Sequence, residues 1–313
     1  MIIALAGGVG GAKLANGLAQ LCDPADLLIA NNIGDDFSHL GLHISPDLDS
    51  VMYRLAGLND TERGWGLANE SWRFMEALQR LGGPDWFNLG DQDLATHIER
   101  TRLLNSGVAL SEATTHLSRA LGIRHHIAPV SDDPVRTIVK TAGDDLPFQD
   151  YFVRLQCAPS VSGFAFEGAD QAELLPDLRD ALSDSRLAAI VICPSNPYVS
   201  IEPMLAIPAL RRILENRSVP CVAVSPIIGG DTVKGPAAKM MRELGAAPSS
   251  TAVAAYYEGL IDGLVIDAVD EKEATKIKAM GVAPFVTTTL MKSDADERAL
   301  ADAVLSFAAG LRK

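Results

Sequence analysis

The chain has 313 residues, of which 48% are hydrophobic and 21% charged, a balance typical of a globular protein with one large domain or two modest ones. A formal net charge of −13 argues against a nucleic-acid partner, whose binding surface would be basic. The N-terminus carries no signal-peptide pattern and no apolar run reaches about 18 residues, so we expect no membrane segment and a soluble, cytoplasmic protein.

The chain begins with an apolar strand, residues 1–6 (MIIALA), followed by the glycine turn GGVGGAK and a helical pattern. Glycines at such a turn let backbone N–H groups approach a phosphate and aim the helix N-terminus at it. The spacing matches neither the dinucleotide-binding nor the P-loop pattern. We predict a phosphate-binding turn with Gly8, Gly10, Gly11 and Lys13, because a lysine in the first helical turn opposes the helix dipole and favours an anion ligand. A tight packing turn is the alternative.

Acidic residues follow the second apolar strand. Asn32 comes directly after it, then Asp35 and Asp36, and two more acids follow at Asp47 and Asp49. Asp47 fits a first-turn helix acid, whereas Asp49 lies on another face of the helix. Oxygen ligands from separate loops suit Mg²⁺, which usually takes one or two carboxylates. We predict that Asp35, Asp36 and Asp49 bind the metal and that Asn32 lies on the phosphate side.

The middle of the chain, residues 45–122, has helical spacing throughout. Ser45 and the proline after it predict a helix start with a capping hydroxyl, and perhaps four helices follow. Asn88, just before a glycine, is well placed to contact a ligand. Asp93 and His97 are four residues apart, which favours an ion pair or a hydrogen bond over a metal pair.

Strands and helices alternate again towards the end of the chain. Residues 136–141 and 148–155 predict an antiparallel hairpin, and beyond residue 171 short apolar strands alternate with helices. This pattern predicts an α/β fold with a doubly wound, Rossmann-like, mostly parallel sheet. We expect residues 1–44 and 123–313 to form its core and residues 45–122 to form a helical insertion that caps the carboxyl edge of the strands.

Two loops in the second half of the chain also follow predicted strands and should lie at the carboxyl edge of the sheet, where parallel sheets bind their ligands. Ser195 and Asn196 follow one apolar strand, and Gly230 and Lys234 lie in the glycine-rich loop after the next. We predict that these four residues bind the phosphates of a donor, with well-made turns as the alternative.

The motifs together resemble a known family. GGVGGAK, NNIGDD, SPDLDSVMYRLAG, RGWG, FNLGDQDLATH, PVSDDPVRT, CPSNPYVSI and SPIIGGDTVKGPAAKMM occur in the order of the 2-phospho-L-lactate transferases, over residues 1–291. The resemblance implies Mg²⁺-dependent biosynthesis of the deazaflavin coenzyme F-420. A phosphorylated three-carbon acid would move from a guanosine diphosphate-linked donor to a hydroxyl of the deazaflavin Fo, and GMP would leave. It also implies a homodimer and a separate guanylyltransferase that makes the donor.

By position, the resemblance implies that Asp49 and Asn88 contact Fo and that Asp35 and Asp36 lie on the metal side. Asp49 would orient the attacking hydroxyl or act as its base, and Asp36 is the second candidate catalytic residue. The Asn88 position is often basic in archaeal members, which leaves 2-phospho-L-lactate, phosphoenolpyruvate and 3-phosphoglycerate all open as the acid. A nucleotide-binding regulator without turnover is the rival hypothesis, and a nicotinamide oxidoreductase is disfavoured by the missing third glycine and ribose-binding acid.

Overall fold

A computed structural model describes residues 1–312 of the chain. Its strands are β1 Ile2–Ala6, β2 Leu27–Asn31, β3 Phe37–His39, β4 Leu42–Ile44, β5 His126–Pro129, β6 Arg136–Thr141, β7 Leu146–Pro147, β8 Val161–Glu167, β9 Ala189–Ile192, β10 Cys221–Val224, β11 Ile227–Ile228, β12 Asp231–Thr232, β13 Gly263–Asp267 and β14 Ala283–Thr287. Its α-helices are α1 Gly8–Ala19, α2 Pro46–Leu55, α3 Arg73–Arg80, α4 Asp91–Asn105, α5 Leu110–Ala120, α6 Pro176–Ser183, α7 Glu202–Leu205, α8 Pro208–Glu215, α9 Ala237–Glu243, α10 Ser250–Tyr256, α11 Ala274–Ala279 and α12 Asp294–Gly310. None of the helices within residues 1–312 has both the length and the apolar composition needed to cross a membrane.

Seven parallel strands form the central sheet, in the order β14-β13-β10-β9-β1-β2-β5. The predicted α/β fold with a doubly wound, mostly parallel sheet is therefore confirmed. From β1 the chain builds one side of the sheet with β2 and β5, and it later returns to the other side of β1 with β9. The strand order thus reverses between β1 and β9. Such a switch point opens a crevice outside the carboxyl ends of the strands, where ligands bind.

The strands are apolar runs because both faces of the sheet are covered. In β1, the consecutive residues Ala4 and Leu5 point to opposite faces, and each has 0% exposed surface. Helix α1 follows β1 directly and packs against both α2 and α12. The close contact with α12 occurs at Gly17, where a β-carbon would collide with the backbone oxygen of Glu297.

A buried carboxylate joins these three helices. Glu297 of α12 is 1% exposed and accepts hydrogen bonds from the Asn16 amide of α1 at 2.7 Å and from the Arg54 Nη2 of α2 at 2.7 Å. Removing one partner of such a buried pair costs about 3–5 kcal/mol. The start of the helical middle segment is therefore tied to the last helix of the chain.

Helices α2 to α5 lie in the segment that was predicted to be helical. Val51 and Met52 of α2 belong to the main core, whereas Ile44, Met75 and Leu89 form a separate, smaller cluster. The first helix of the segment is thus part of the core. The division of the chain into a core and an insertion at residues 45–122 stays a prediction.

The predicted hairpin is right in its first strand and wrong in its second. Residues 136–141 form β6, which pairs antiparallel with β7 at residues 146–147 and with β8 at residues 161–167. Most of residues 148–155 form a π-helical turn, Asp150–Arg154, instead of a strand. The apolar side chains of this segment have no neighbouring strand to pair with and pack as a turn, in which Phe148 stacks on Phe152.

Gly17→Ala tests the close packing of α1 on α12. We expect a loss of roughly 1–3 kcal/mol in the free energy of unfolding, measured by urea denaturation, because overpacking outweighs the better helix propensity of alanine. The control is Gly310→Ala at the exposed end of α12, where a β-carbon meets nothing within 4 Å and stability should not fall. Wild-type stability of Gly17→Ala would contradict the packing argument.

Candidate active site

The glycine turn lies at the switch point and is fastened to the loop after β9. Gly8 has a φ of +62°, which glycine adopts without strain, and a β-carbon at Gly10 would collide with the backbone oxygen of Pro194. The Ser195 hydroxyl donates to the Gly7 oxygen at 2.7 Å and accepts from the Gly7 N–H at 3.2 Å. The glycines therefore allow two loops to touch and direct the N-terminus of α1 into the crevice.

Carboxylates face this helix N-terminus. The Gly8 N–H donates to Asp47 Oδ1 at 2.6 Å, so an acid from α2 reaches the turn after β1. The buried Asn32 amide donates to Asp47 Oδ2 at 2.9 Å and to Asp35 Oδ1 at 2.5 Å. The side chain of Asn32 thus holds two acids together at the carboxyl end of β2, next to the amide end of a helix.

Burial and mutual proximity raise the pKa values of two of these acids. Burial raises the pKa of Asp35 well above its usual value, and the negative charges of Asp47 and Asp36 raise it further. Burial also raises the pKa of Asp47 to about 6, against the hydrogen bonds from Asn32 and Gly8, which lower it. The free energy of placing these carboxylates side by side is unfavourable, and a bound cation would lower it.

Asp36 has the chemistry of a metal ligand. It is 2% exposed; its Oδ2 accepts from the Ser45 hydroxyl at 2.9 Å and lies 3.1 Å from His43 Nε2, whereas its Oδ1 has no hydrogen-bond partner among residues 1–312. Buried polar atoms without a partner are rare, and a carboxylate oxygen is a ligand that Mg²⁺ prefers. Within residues 1–312 no three His, Cys, Asp or Glu side chains form a metal-binding group. Asp35 and Asp36 nevertheless fit Mg²⁺, because that ion usually takes only one or two carboxylates.

Asp49 is held by an arginine instead. Both of its carboxylate oxygens accept from Arg100 of α4, Oδ2 at 3.1 Å from Nη1 and Oδ1 from Nη2. The predicted trio of Asp35, Asp36 and Asp49 is therefore not gathered into one ligand group. The side chain of Asp49 is 7% exposed, so the carboxylate lies at the edge of the buried network.

Two lysines supply positive charge near the glycine turn. Lys13 donates to the Met291 oxygen at 2.7 Å, and the exposed Lys234 donates to the Arg63 oxygen at 3.1 Å. Burial lowers the pKa of Lys13, and the charges of Arg54 and Lys234 lower it further, although Glu297 opposes them. Neither lysine forms an ion pair within residues 1–312, so both can donate to an anion.

A phosphate-binding turn opposite a carboxylate cluster is typical of metal-assisted chemistry at phosphorus. The family model described as 2-phospho-L-lactate transferase CofD matches residues 2–302. The chain belongs to the CofD family. The predicted family resemblance is thereby confirmed, and with it a place among transferases.

Relatives named for two different transferase activities match nearly the whole chain. A phosphoenolpyruvate transferase of Streptomyces coelicolor is 39% identical, and the match covers 100% of this chain and 99% of the relative. The 2-phospho-L-lactate transferases of Methanosarcina mazei and Methanopyrus kandleri are 36% and 40% identical, with 97% and 96% of this chain and 99% and 95% of the relatives covered. Identity therefore does not separate the two named activities.

A solved structure confirms the fold of this CofD-family chain. A UPF0052 family protein from Bacillus halodurans superimposes with a TM-score of 0.63, covering 97% of this chain and 98% of the other, at 14% sequence identity. At that identity the match bears on the fold alone.

The CofD-family chain brings most of the predicted site residues to the switch point. The residues that lie around the glycine turn and the carboxylate cluster are Gly8, Gly10, Gly11, Lys13, Asn32, Asp35, Asp36 and Ser195. Asn196 caps the turn Pro197–Ile201, Gly230 lies in the tight turn between β11 and β12, and Asn88 is exposed just before α4. Ligand binding by these residues stays a prediction.

Sequence reasoning missed Asp47 and Arg100 and misplaced Ser45. The Ser45 hydroxyl does not cap α2 but donates to Asp36, and Asp47 binds the Gly8 N–H of another element. The sequence does contain a pattern that indicates a buried Arg100. Asp93, His97 and Arg100 occupy one face of α4, at a spacing usually held by apolar residues. The predicted contact between Asp93 and His97 is confirmed at 3.2 Å.

The raised pKa of Asp47 predicts a dependence of stability on pH. An aspartate that binds its proton more tightly when folded stabilises the protein at low pH, and this contribution is lost as the pH rises from the unfolded value of 3.8 to the folded value of about 6. Asp47→Asn should therefore flatten the fall in unfolding free energy across this window, measured by urea denaturation in metal-free buffer. Asp144→Asn in an exposed loop is the control and should keep the wild-type slope. An unchanged slope in Asp47→Asn would disprove the raised pKa.

Proposed function

We propose that the chain transfers a phosphorylated three-carbon acid from its guanosine diphosphate-linked donor to the terminal hydroxyl of Fo and releases GMP, a step in the biosynthesis of coenzyme F-420. The observation that carries the proposal is the contact of the α1 N-terminus with Asp47, which the Asn32 amide joins to Asp35 at the reversal of the strand order. The named activities of the full-length relatives support it, since those proteins are phosphoenolpyruvate and 2-phospho-L-lactate transferases.

The donor diphosphate fits the side of the glycine turn. Backbone N–H groups at the start of α1 and the unpaired charges of Lys13 and Lys234 are donors suited to phosphate oxygens. Among the described residues 1–312, Lys13 and Lys234 are held by backbone carbonyls only, so a phosphate can replace those partners without breaking an ion pair. Ser195 keeps the turn in place through the Gly7 peptide.

Asp35 and Asp36 would hold Mg²⁺, through the unpartnered Asp36 Oδ1 among other oxygens. A bound Mg²⁺ neutralises charge that develops on phosphate oxygens during transfer. Asp47, which shares the Asn32 amide with Asp35, supplies further negative charge at the same place.

Asp49 serves the acceptor side, with Asn88 near the start of α4. The Fo hydroxyl oxygen attacks the phosphorus that carries the three-carbon acid, a new phosphorus–oxygen bond forms, and the bond to the GMP phosphate breaks. The hydroxyl proton passes to a carboxylate, for which Asp49 is the candidate and Asp36 the neighbouring acid. The products are the phosphodiester of Fo and GMP, so a guanylyltransferase reaction must supply the donor.

A transfer assay decides the function and the acid together. Purified protein, Fo, GTP, Mg²⁺ and a donor-forming guanylyltransferase are offered 2-phospho-L-lactate, phosphoenolpyruvate or 3-phosphoglycerate, and products are identified by mass. We expect a phosphodiester of Fo with one of these acids and an equal amount of GMP. Because the guanylyltransferase needs Mg²⁺ itself, EDTA is tested with preformed donor, where it should stop the reaction and excess Mg²⁺ should restore it. No adduct with any acid, despite binding of GDP, would favour a nucleotide-binding regulator.

Asp49→Asn separates the acceptor side from the donor side. We expect kcat to fall by at least about 100-fold, the contribution of a positioned general base, while the Kd for GDP stays within about twofold of wild type. Asp144→Asn is again the control and should retain full activity. Equal losses of turnover and GDP affinity would remove the assignment of Asp49 to the acceptor side.

A further inference from the structure

A buried arginine lies behind the acceptor side. Arg100 of α4 has 0% exposed surface, and its guanidinium binds both oxygens of Asp49 on α2. A buried charge is costly unless it is paired, and the paired geometry fixes the carboxylate as well as the arginine. The direction of the Asp49 carboxylate is therefore set by a residue on another helix.

A second buried acid supports this arrangement. His97 Nδ1 lies 3.7 Å from Asp49 Oδ2, and His97 Nε2 lies 3.2 Å from Asp93 Oδ1. The Tyr53 hydroxyl donates to the same Asp93 oxygen at 2.5 Å. Asp49, His97 and Asp93 thus form a continuous polar layer between α2 and α4, and Arg100 is its cation.

The cation of this layer also interacts electrostatically with an active-site acid. Arg100 Nε and Asp36 Oδ1 are buried and have no hydrogen-bond partner within residues 1–312. The charges of Asp49 and, more weakly, Asp36 raise the pKa of Arg100 against the effect of burial, so the guanidinium acts on both acids. Buried donors without a partner are rare, so a role that only fastened two helices would not account for the unpaired Nε of Arg100.

We propose that Arg100 is a positioning residue for the transfer reaction. It aims the Asp49 carboxylate at the acceptor hydroxyl and balances the negative charge of that carboxylate from behind, without contact with either substrate. The inference rests on the proposed function, because it assigns Asp49 to the acceptor. Lysine cannot replace arginine here, since a point charge on a flexible stem does not hold both carboxylate oxygens.

The test compares Arg100→Lys with Arg217→Lys. Arg217 also binds a carboxylate, that of Asp262, through two nitrogens at 3.0 and 2.8 Å, but it lies at the amino ends of β10 and β13. For Arg100→Lys we expect kcat to fall by about 10- to 100-fold, and the Kd for Fo, read from its absorbance in the presence of GDP and Mg²⁺, to rise. The Kd for GDP should stay within about twofold of wild type, and Arg217→Lys should match wild type in all three quantities. Wild-type kcat and Fo affinity in Arg100→Lys would overturn the proposal.

A double-mutant cycle separates positioning from a general loss of structure. If Arg100 acts through Asp49, then Arg100→Met should lower the kcat of an Asp49→Asn protein by less than about threefold, because the neutral pair leaves no carboxylate to aim. Independent, multiplying losses would refute the proposal. Absence of transfer by the wild-type protein would instead refute the proposed function, and the Fo titration would still show whether Arg100 shapes the acceptor side.

Discussion

The close approach of the glycine turn to the loop after β9 is the constraint on which the site depends. One hydroxyl, that of Ser195, binds both the N–H and the oxygen of Gly7, and Gly10 leaves no room for a side chain below Pro194. Because α1 starts immediately after this turn, the same contact sets the direction of the helix. The position of the amides that we propose to bind phosphate therefore follows from packing, so close packing of the turn and phosphate binding are compatible.

Acidic and basic side chains both surround this turn, an arrangement that suits a diphosphate and a metal ion together. Three acids, Asp35, Asp36 and Asp47, lie within one hydrogen-bonded or electrostatically coupled group, and two of them have raised pKa values because of burial. Lys13 and Lys234 carry unneutralised positive charge near the same helix. A ligand that brings both a cation and phosphate oxygens would relieve both imbalances, whereas an uncharged ligand would relieve neither.

The sequence predicts this architecture well where local rules govern it and poorly where distant partners do. The apolar runs predicted β1, β2 and the later strands correctly, because strands buried on both faces need apolar side chains throughout. The glycines predicted the turn before α1. Asp47 appeared to be an ordinary first-turn acid because its true partner, the Gly8 N–H, is 39 residues away. Asp49 appeared to have no partner in the sequence, because its partner Arg100 is 51 residues away along the chain. The segment 148–155 has strand composition but no neighbouring strand, and no local pattern reveals that lack.

The helix that carries Asp47 and Asp49 is anchored at both ends, and this restricts how the protein can move. At its start Asp47 binds the glycine turn, and at its end Arg54 binds the buried Glu297 of the final helix. Swinging the helical segment outward as a rigid lid would break both contacts, at a cost of several kcal/mol for the ion pair alone. Any movement that keeps these contacts is therefore confined to the connecting loops, such as the one from residue 56 to 72, while Asp47 and Asp49 stay in register with the sheet.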